Sequence, residues 1–127
     1  MSWDAYVSDH LVGSGKLSEA AIIGLDGGVW AISPGLQITP EQEAALVKAY
    51  KQGPDDLQAH GIHIGKEKYM FLRPVEDSFY GKKGGDGICV TKSGKAILVG
   101  EYKEPIMPAD ANKVVEDMAA YLVSVGF

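Results

Sequence analysis

The residue types most often used for catalysis and metal binding are few in this chain and scattered along it. His60 and His63 lie three positions apart in "HGIH". If this stretch forms a strand, that spacing places the two side chains on opposite faces. No cysteine lies nearby, so the pattern does not favour a metal site. Cys89 lies in the apolar stretch "GICVTK", which predicts a buried and unreactive thiol.

The glycine-rich segment "GKKGGDG" is the nearest approach to a phosphate-binding loop. It lacks the spacing and the Lys-Ser/Thr ending of such a loop, and no helix pattern follows it, so it is interpreted as a hairpin turn. No Gly-x-Ser-x-Gly motif is present, and the carboxylates are spread along solvated faces. We therefore predict no catalytic residues, no metal and no cofactor, and we predict that the protein is not an enzyme.

Aromatic residues offer a clearer kind of chemistry. Trp3, Tyr6, Trp30, Tyr121 and Phe127 come from three distant segments of the chain. Flat rings that carry N–H and O–H donors suit a polyproline II ligand, because its carbonyl groups are free acceptors and its rings stack on aromatics at small entropic cost. The alternative is that each ring belongs to the core. A shared surface requires that both ends of the chain meet.

The charge is unevenly distributed along the chain. The net charge of −5 argues against a general nucleic-acid binder. Residues 1–60 are acidic, whereas residues 66–95 carry seven basic and four acidic side chains. A basic face on an acidic protein could meet an acidic protein or an anionic lipid headgroup. The alternative is an ordinary solvated sheet surface.

Length and composition predict one domain over residues 1–127, in a monomer. No apolar run approaches the ~20 residues that span a membrane, and no signal-peptide pattern is visible. The single cysteine excludes an intrachain disulfide framework. We therefore expect a cytoplasmic protein.

The elements that must position these residues follow from local patterns. Residues 3–12 read as a short helix with Ser2 as its N-cap, and we expect Val7 and Leu11 on its inward side. The "DGG" between "AAIIGL" and "VWAIS" predicts a β-hairpin. Thr39 and Gln42 form a capping box at the start of a helix that ends at "GP".

Five short strand candidates separated by turn-like segments then predict an antiparallel meander: "GIHIG", "KYMFLRP", "SFYGKK", "GICVTK" and "AILVGEY". The last helix begins near Pro108, with a predicted apolar stripe of Val114, Met118, Leu122 and Val125. Together the elements predict an α+β fold, with a central antiparallel sheet and helices packed on its faces.

Several segments together resemble the profilin family. They are "MSWDAYVSDHL", "AAIIGLDGGVWA", "YGKKG", "GICVTK", "ILVGEY" and "NKVVEDMAAYLVSVGF". The match covers essentially the whole chain in order. The short loops are more similar to those of plant, protist and fungal profilins than to those of vertebrates.

The resemblance implies a sheet with the N- and C-terminal helices on one face and smaller helices on the other. It also implies a cytoskeleton-associated protein that binds actin monomers, promotes nucleotide exchange on actin and docks proline-rich segments of proteins such as formins. Phosphoinositide binding is a further implication. The alternative from the residues alone is a small-molecule sensor or an interaction domain on a similar α/β sandwich.

The site residues are carried over by position. The resemblance assigns the polyproline site to Trp3, Tyr6, Trp30, Tyr121, Leu122 and Phe127. It assigns the actin-binding face to Lys68, Arg73, Lys82, Lys83, Asn112, Lys113, Glu116 and Asp117. It assigns phosphoinositide binding to the cations Lys68, Arg73, Lys82, Lys83 and Lys113. An acid at position 117 and the acidic "RPVEDSFYG" segment depart from the family pattern and would weaken lipid binding.

Overall fold

The computed structural model describes residues 2–127. The first helical segment, α1, is α-helical over Trp3–Ala5, π-helical over Tyr6–Leu11 and 3₁₀-helical over Val12–Ser14. The other helices are α2 (Pro40–Gln52), α3 (Asp55–His60) and α4 (Pro108–Ser124). The strands are β1 (Glu19–Gly24), β2 (Val29–Ile32), β3 (Ile62–Ile64), β4 (Glu67–Val75), β5 (Ser78–Lys83), β6 (Asp86–Lys92) and β7 (Ala96–Tyr102).

The strands form one seven-stranded sheet in the order β2-β1-β7-β6-β5-β4-β3. Each neighbouring pair is antiparallel, so the predicted α+β architecture is confirmed. Helices α1 and α4 pack on one face of the sheet, here called the terminal-helix face. Helices α2 and α3 pack on the opposite face.

The central strands β1 and β7 are buried on both faces of the sheet. Ile22 and Leu98 belong to the core beneath α1 and α4, whereas Ile23 and Val99 belong to the core beneath α2 and α3. Successive side chains of a strand point to opposite faces. Such strands therefore read as continuous apolar runs, as "AAIIGL" and "AILVGEY" do.

The predicted capping box of α2 is confirmed. The Thr39 N–H donates to Gln42 Oε1 at 3.0 Å, and the Gln42 N–H donates to Thr39 Oγ1 at 3.2 Å. Helix α3 was not predicted, and it changes the interpretation of "HGIH". His60 ends α3 and only His63 is in a strand, so the reasoning from strand alternation was wrong.

The predicted apolar stripe of α4 was also partly wrong. The buried positions are Ala111, Val115, Ala119 and Leu122, whereas Val125 is 46% exposed. Two of the four buried side chains are alanines, which let the helix approach the sheet closely. The larger Val114 and Met118 lie at the side of the helix and are only partly buried.

Within residues 2–127, no helix is both long enough and apolar enough to cross a bilayer.

Candidate functional site

Five aromatic rings from both ends of the chain and from β2 form one contiguous surface, here called the aromatic patch: Trp3, Tyr6, Trp30, Tyr121 and Phe127. Trp3 is central, with its ring centroid 4.6 Å from Trp30, 5.0 Å from Phe127 and 5.5 Å from Tyr6. The Tyr6 and Tyr121 centroids are 5.9 Å apart. Trp3, Tyr6 and Trp30 are half-buried, whereas Tyr121 and Phe127 are 46% and 39% exposed. The structure therefore brings together five of the six residues expected in the polyproline site.

Helix α1 holds Trp3 and Tyr6 at the surface by burying its opposite side. Ser2 caps the helix, because its Oγ accepts a hydrogen bond from the Ala5 N–H at 3.2 Å. Val7 and Leu11 point into the core with 3% and 0% exposure, as predicted for the inward face. The π-helical hydrogen bonding within Tyr6–Leu11 was not predicted.

Trp30 is placed by a hairpin that depends on three glycines. A Cβ at Gly24 would lie 2.9 Å from Trp30 Nε1 and 2.6 Å from the Gly27 carbonyl oxygen. Only a residue without a side chain fits this gap. Gly27 and Gly28 in the turn both have positive φ angles of 101° and 90°, which glycine adopts readily.

Phe127 is fixed by the β6–β7 turn, in a contact here called the Ser93–Lys95 clamp. The Phe127 carbonyl oxygen accepts a hydrogen bond from Ser93 Oγ at 2.7 Å and another from the Lys95 N–H at 2.5 Å. The Phe127 N–H donates to the Leu122 carbonyl oxygen at 2.7 Å. The Lys95 ammonium lies 5.8 Å from the centroid of the Phe127 ring, within cation–π distance.

Leu122 does not belong to the aromatic patch. Its side chain is fully buried in the core beneath α4, so it cannot contact a ligand on the surface. It supports the patch from below, because α4 turns its neighbour Tyr121 outward. In this geometry Leu122 lies beneath the surface of the polyproline site, and its assignment to that site stays a prediction.

The side chains of Tyr6 and Tyr121 lie edge to face and interact. Hydrogen bonding to the Tyr121 side chain raises the pKa of Tyr6 above its ordinary value. A ligand carbonyl above these two rings would accept a hydrogen bond from one of their O–H groups.

A second candidate surface lies on the terminal-helix face of β4 and β5, beyond α4. We call it the sheet face, formed by Lys68, Met70, Arg73, Val75 and Lys82. The strand register pairs Met70 with Lys82 and Arg73 with Tyr80, which places these positions on one face. Lys68, Arg73 and Lys82 of the predicted actin and phosphoinositide sets are exposed here.

The apolar part of the sheet face was missed from sequence. Met70 is 63% exposed and Val75 is 38% exposed, and Leu72 is 48% exposed at the bulge in β4. The signal was present in "KYMFLRP", where Tyr69 and Phe71 point inward and their alternating neighbours must point outward. Apolar side chains surrounded by cations are typical of a protein-binding surface.

Lys83 lies on the opposite face from Lys82. A Cβ at Gly81, which has the same alternation as Lys83, would meet Tyr69 and Ile88 of the core beneath α2 and α3. Lys83 forms an ion pair with Glu67 on that side. Lys83 therefore points away from the other sheet cations, and its part in the actin-binding and phosphoinositide-binding sets stays a prediction.

The four expected residues of α4 have different environments. Lys113 and Asp117 are exposed and pair at 2.9 Å, and this hydrogen bond raises the pKa of Lys113. Asn112 is half-buried, and its Oδ1 is enclosed with no hydrogen-bond partner within residues 2–127. Of these four residues, Lys113 and Asp117 are the two whose charged groups are exposed, as a pair.

Glu116 instead ties α4 to β5. Its Oε2 accepts hydrogen bonds from Ser78 Oγ at 2.5 Å and from the Tyr80 hydroxyl at 2.6 Å. Burial, together with this hydrogen bond, raises the pKa of Tyr80 to about 12. Glu116 therefore fixes the helix beside the sheet face, which sequence reasoning did not reveal.

The aromatic patch and the sheet face are well separated. Trp30 lies on β2 at one end of the sheet, and β5 lies four strands further along. At the usual strand spacing this corresponds to about 20 Å. Two ligands could therefore occupy the two surfaces at the same time.

Comparison with known proteins identifies the family. The Profilin family model matches residues 1–127. Profilin-1A of Acanthamoeba castellanii is 45% identical over 127 residues, which cover 100% of both chains. The solved structure of Acanthamoeba castellanii profilin IB has a TM-score of 0.94 and 45% identity, covering 99% of this chain and 100% of that one.

Mouse profilin IIa, solved in complex with a double repeat from the FH1 domain of mDia1, is 28% identical. It has a TM-score of 0.80 and covers 100% of both chains. In each of these comparisons the similarity covers at least 99% of this chain. The chain belongs to the profilin family.

Proposed function

We propose that the protein binds actin monomers through the sheet face and α4, and binds proline-rich segments through the aromatic patch. One observation is the main support for binding of proline-rich segments: five aromatic rings from residues 3 to 127 converge on a single surface in a profilin chain. The mouse relative solved with an FH1 repeat supports it further. The protein would act as one domain over residues 1–127, in the cytoplasm with the cytoskeleton.

Ring stacking and hydrogen bonding would together hold the proline-rich ligand. A polyproline II helix has no internal hydrogen bonds, so its carbonyls accept from the indole N–H groups of Trp3 and Trp30 and from the Tyr6–Tyr121 pair. Each such bond contributes about 0.5–1.5 kcal/mol net. The larger part of the binding free energy comes from burying ring surface.

The sheet face would bind actin by a different balance of forces. Met70, Leu72 and Val75 provide apolar area, and Lys68, Arg73 and Lys82 surround it with positive charge. Charge complementarity of this kind speeds association and is weakened by salt. Nucleotide exchange on actin would follow if the protein binds an open form of the nucleotide cleft more tightly than a closed one.

Phosphoinositide headgroups would compete for the same cations. Lys68, Arg73 and Lys82 share one surface. Lys83 and Lys113 are already paired with Glu67 and Asp117. We therefore propose a lipid site with three principal cations, overlapping the actin-binding surface and separate from the aromatic patch.

The separation of the two surfaces gives a direct test of the proposed function. Actin monomer and an oligoproline peptide should bind together, and saturation with either should leave the affinity for the other unchanged within about twofold. Analytical ultracentrifugation with a labelled peptide would detect the ternary complex. Mutual exclusion of the two ligands would contradict the assignment of separate surfaces.

The Ser93–Lys95 clamp leads to a more specific expectation. Replacing Ser93 by alanine removes one of the two hydrogen bonds to the Phe127 carbonyl oxygen. Phe127 should then be less well ordered, and oligoproline affinity should fall about two- to fivefold. Isothermal titration calorimetry would measure this.

Ser18→Ala is a matched control, because Ser18 Oγ also donates to a backbone carbonyl, that of Glu101 at 3.1 Å, away from the patch. It should leave oligoproline affinity unchanged. Actin affinity should be unchanged in both variants. Equal weakening of oligoproline binding by Ser18→Ala would show that the clamp has no special role.

A further inference from the structure

The sheet face carries one side chain whose polarity oxidation can change. Met70 is 63% exposed, although methionine is among the residue types most often buried. Its position in β4 pairs it with Lys82 and turns it away from the core that its neighbour Tyr69 enters. It also lines an open cavity of about 360 Å³, so small molecules in solution can reach this side chain.

The other sulfur-containing residues within residues 2–127 differ in their exposure. Met107 is 62% exposed just before α4, outside the sheet face. Met118 is partly buried against the core beneath α4. Cys89 is fully buried, and burial raises the pKa of its thiol, which makes it unreactive. A mild oxidant should therefore react first with Met70 and Met107.

Oxidation of a thioether by hydrogen peroxide is balanced without a further reagent. The sulfur attacks one peroxide oxygen, the O–O bond breaks, an S–O bond forms, and the other oxygen leaves as water. The sulfur loses the two electrons that the peroxide gains. The product, methionine sulfoxide, is polar, and methionine sulfoxide reductases return it to methionine.

On the sheet face this change would affect both apolar area and charge. Met70 contributes apolar area together with Leu72 and Val75, and covering a polar sulfoxide oxygen there is costly unless the partner donates a hydrogen bond to it. Lys82 is the cross-strand partner of Met70, and such pairs have Cβ atoms about 5 Å apart. The Lys82 ammonium could then donate to the sulfoxide oxygen, which would draw this cation away from an acidic partner.

We propose that Met70 is a redox-sensitive site: its oxidation to the sulfoxide weakens binding of actin monomer, and its reduction by a methionine sulfoxide reductase restores binding. This inference rests on the proposed binding of actin by the sheet face. The aromatic patch lies at the other end of the sheet, so oligoproline binding would persist. Oxidation would therefore release actin from a molecule that still holds its proline-rich partner.

Treatment of the isolated protein with dilute hydrogen peroxide, removed by catalase before actin is added, tests this inference. Peptide mass spectrometry identifies the methionines that have gained an oxygen, and titration of labelled actin monomer gives the affinity before and after treatment. The oxidised wild-type protein should bind actin about five- to tenfold more weakly, with oligoproline affinity unchanged. Methionine sulfoxide reductases A and B, supplied with dithiothreitol, should restore the affinity for actin.

Met70→Leu and Met107→Leu form a matched pair of variants, because the two methionines are equally exposed and leucine has no sulfur to oxidise. Each variant is compared with its own untreated form, so the effect of the substitution itself cancels. Peroxide should no longer weaken actin binding in Met70→Leu, and it should weaken binding in Met107→Leu as much as in the wild type.

Three results would overturn the redox site: no gain of oxygen at Met70, unchanged actin affinity once Met70 is oxidised, or an equal loss of affinity in Met70→Leu. Failure of the proposed function is distinguishable, because the untreated protein would then not bind actin.

Discussion

Replacing Trp3 by alanine should weaken oligoproline binding by about thirtyfold or more. Trp3 is the ring that contacts most of the others, with Trp30, Phe127 and Tyr6 all within 5.5 Å between centroids. Its loss removes a stacking surface and an N–H donor, and it releases three neighbours from their positions. Central tryptophans of binding surfaces commonly contribute about 2 kcal/mol or more. Calorimetry with oligoproline would measure the loss.

Trp3→Phe separates the two contributions of the side chain. Phenylalanine keeps a stacking ring but has no N–H, so we expect an affinity between those of the wild type and Trp3→Ala. Actin binding should be retained in both variants, because the sheet face lies at the far end of the sheet. Wild-type oligoproline affinity in Trp3→Ala would refute the aromatic patch as the binding site.

Charge reversal at Arg73 should weaken actin binding by about tenfold or more. Arg73 is exposed on the sheet face, which also carries the cations Lys68 and Lys82. The exposed apolar side chains of Met70 and Val75 lie on the same face. Arg73→Glu would place an acid opposite an acidic partner, and like charges in an interface are costly. The effect should shrink as salt is added. Titration of labelled actin monomer at two salt concentrations would show both effects.

Lys48→Glu is the control for this experiment. Lys48 is exposed on α2, on the opposite side of the sheet, where it pairs with Asp56 at 2.7 Å. An exposed pair of this kind contributes little to stability, so the variant should fold. It makes the same change in net charge as Arg73→Glu. If both variants weakened actin binding equally, net charge alone would explain the effect and the sheet face would not be the binding surface.

Features set by neighbouring residues could be predicted from the sequence. The Thr39–Gln42 capping box formed as expected because both partners lie within one helical turn. The β1–β2 hairpin followed from its Asp-Gly turn. The inward side of α1 followed from the four-residue spacing of Val7 and Leu11. Local patterns alone could not predict the aromatic patch, because it depends on contacts between residues 3, 30 and 127.

Other features depended on how the elements pack. Glu116 was expected to face a partner, but the docking of α4 turns its carboxylate toward Ser78 and Tyr80. Leu122 was expected both in the apolar stripe of α4 and in the polyproline site, and the docked helix buries it in the core. The position of Lys83 is different, because strand alternation already required Lys82 and Lys83 to point to opposite faces.

The position of both tryptophans has a spectroscopic consequence. The chain has two tryptophans, and both lie in the aromatic patch. Its intrinsic fluorescence therefore reports the docking of α1 against β2 and Phe127, with no tryptophan elsewhere to mask the signal. Circular dichroism instead reports the seven-stranded sheet and its helices. If α1 detaches before the sheet unfolds, fluorescence and circular dichroism will give different midpoints in the same denaturation.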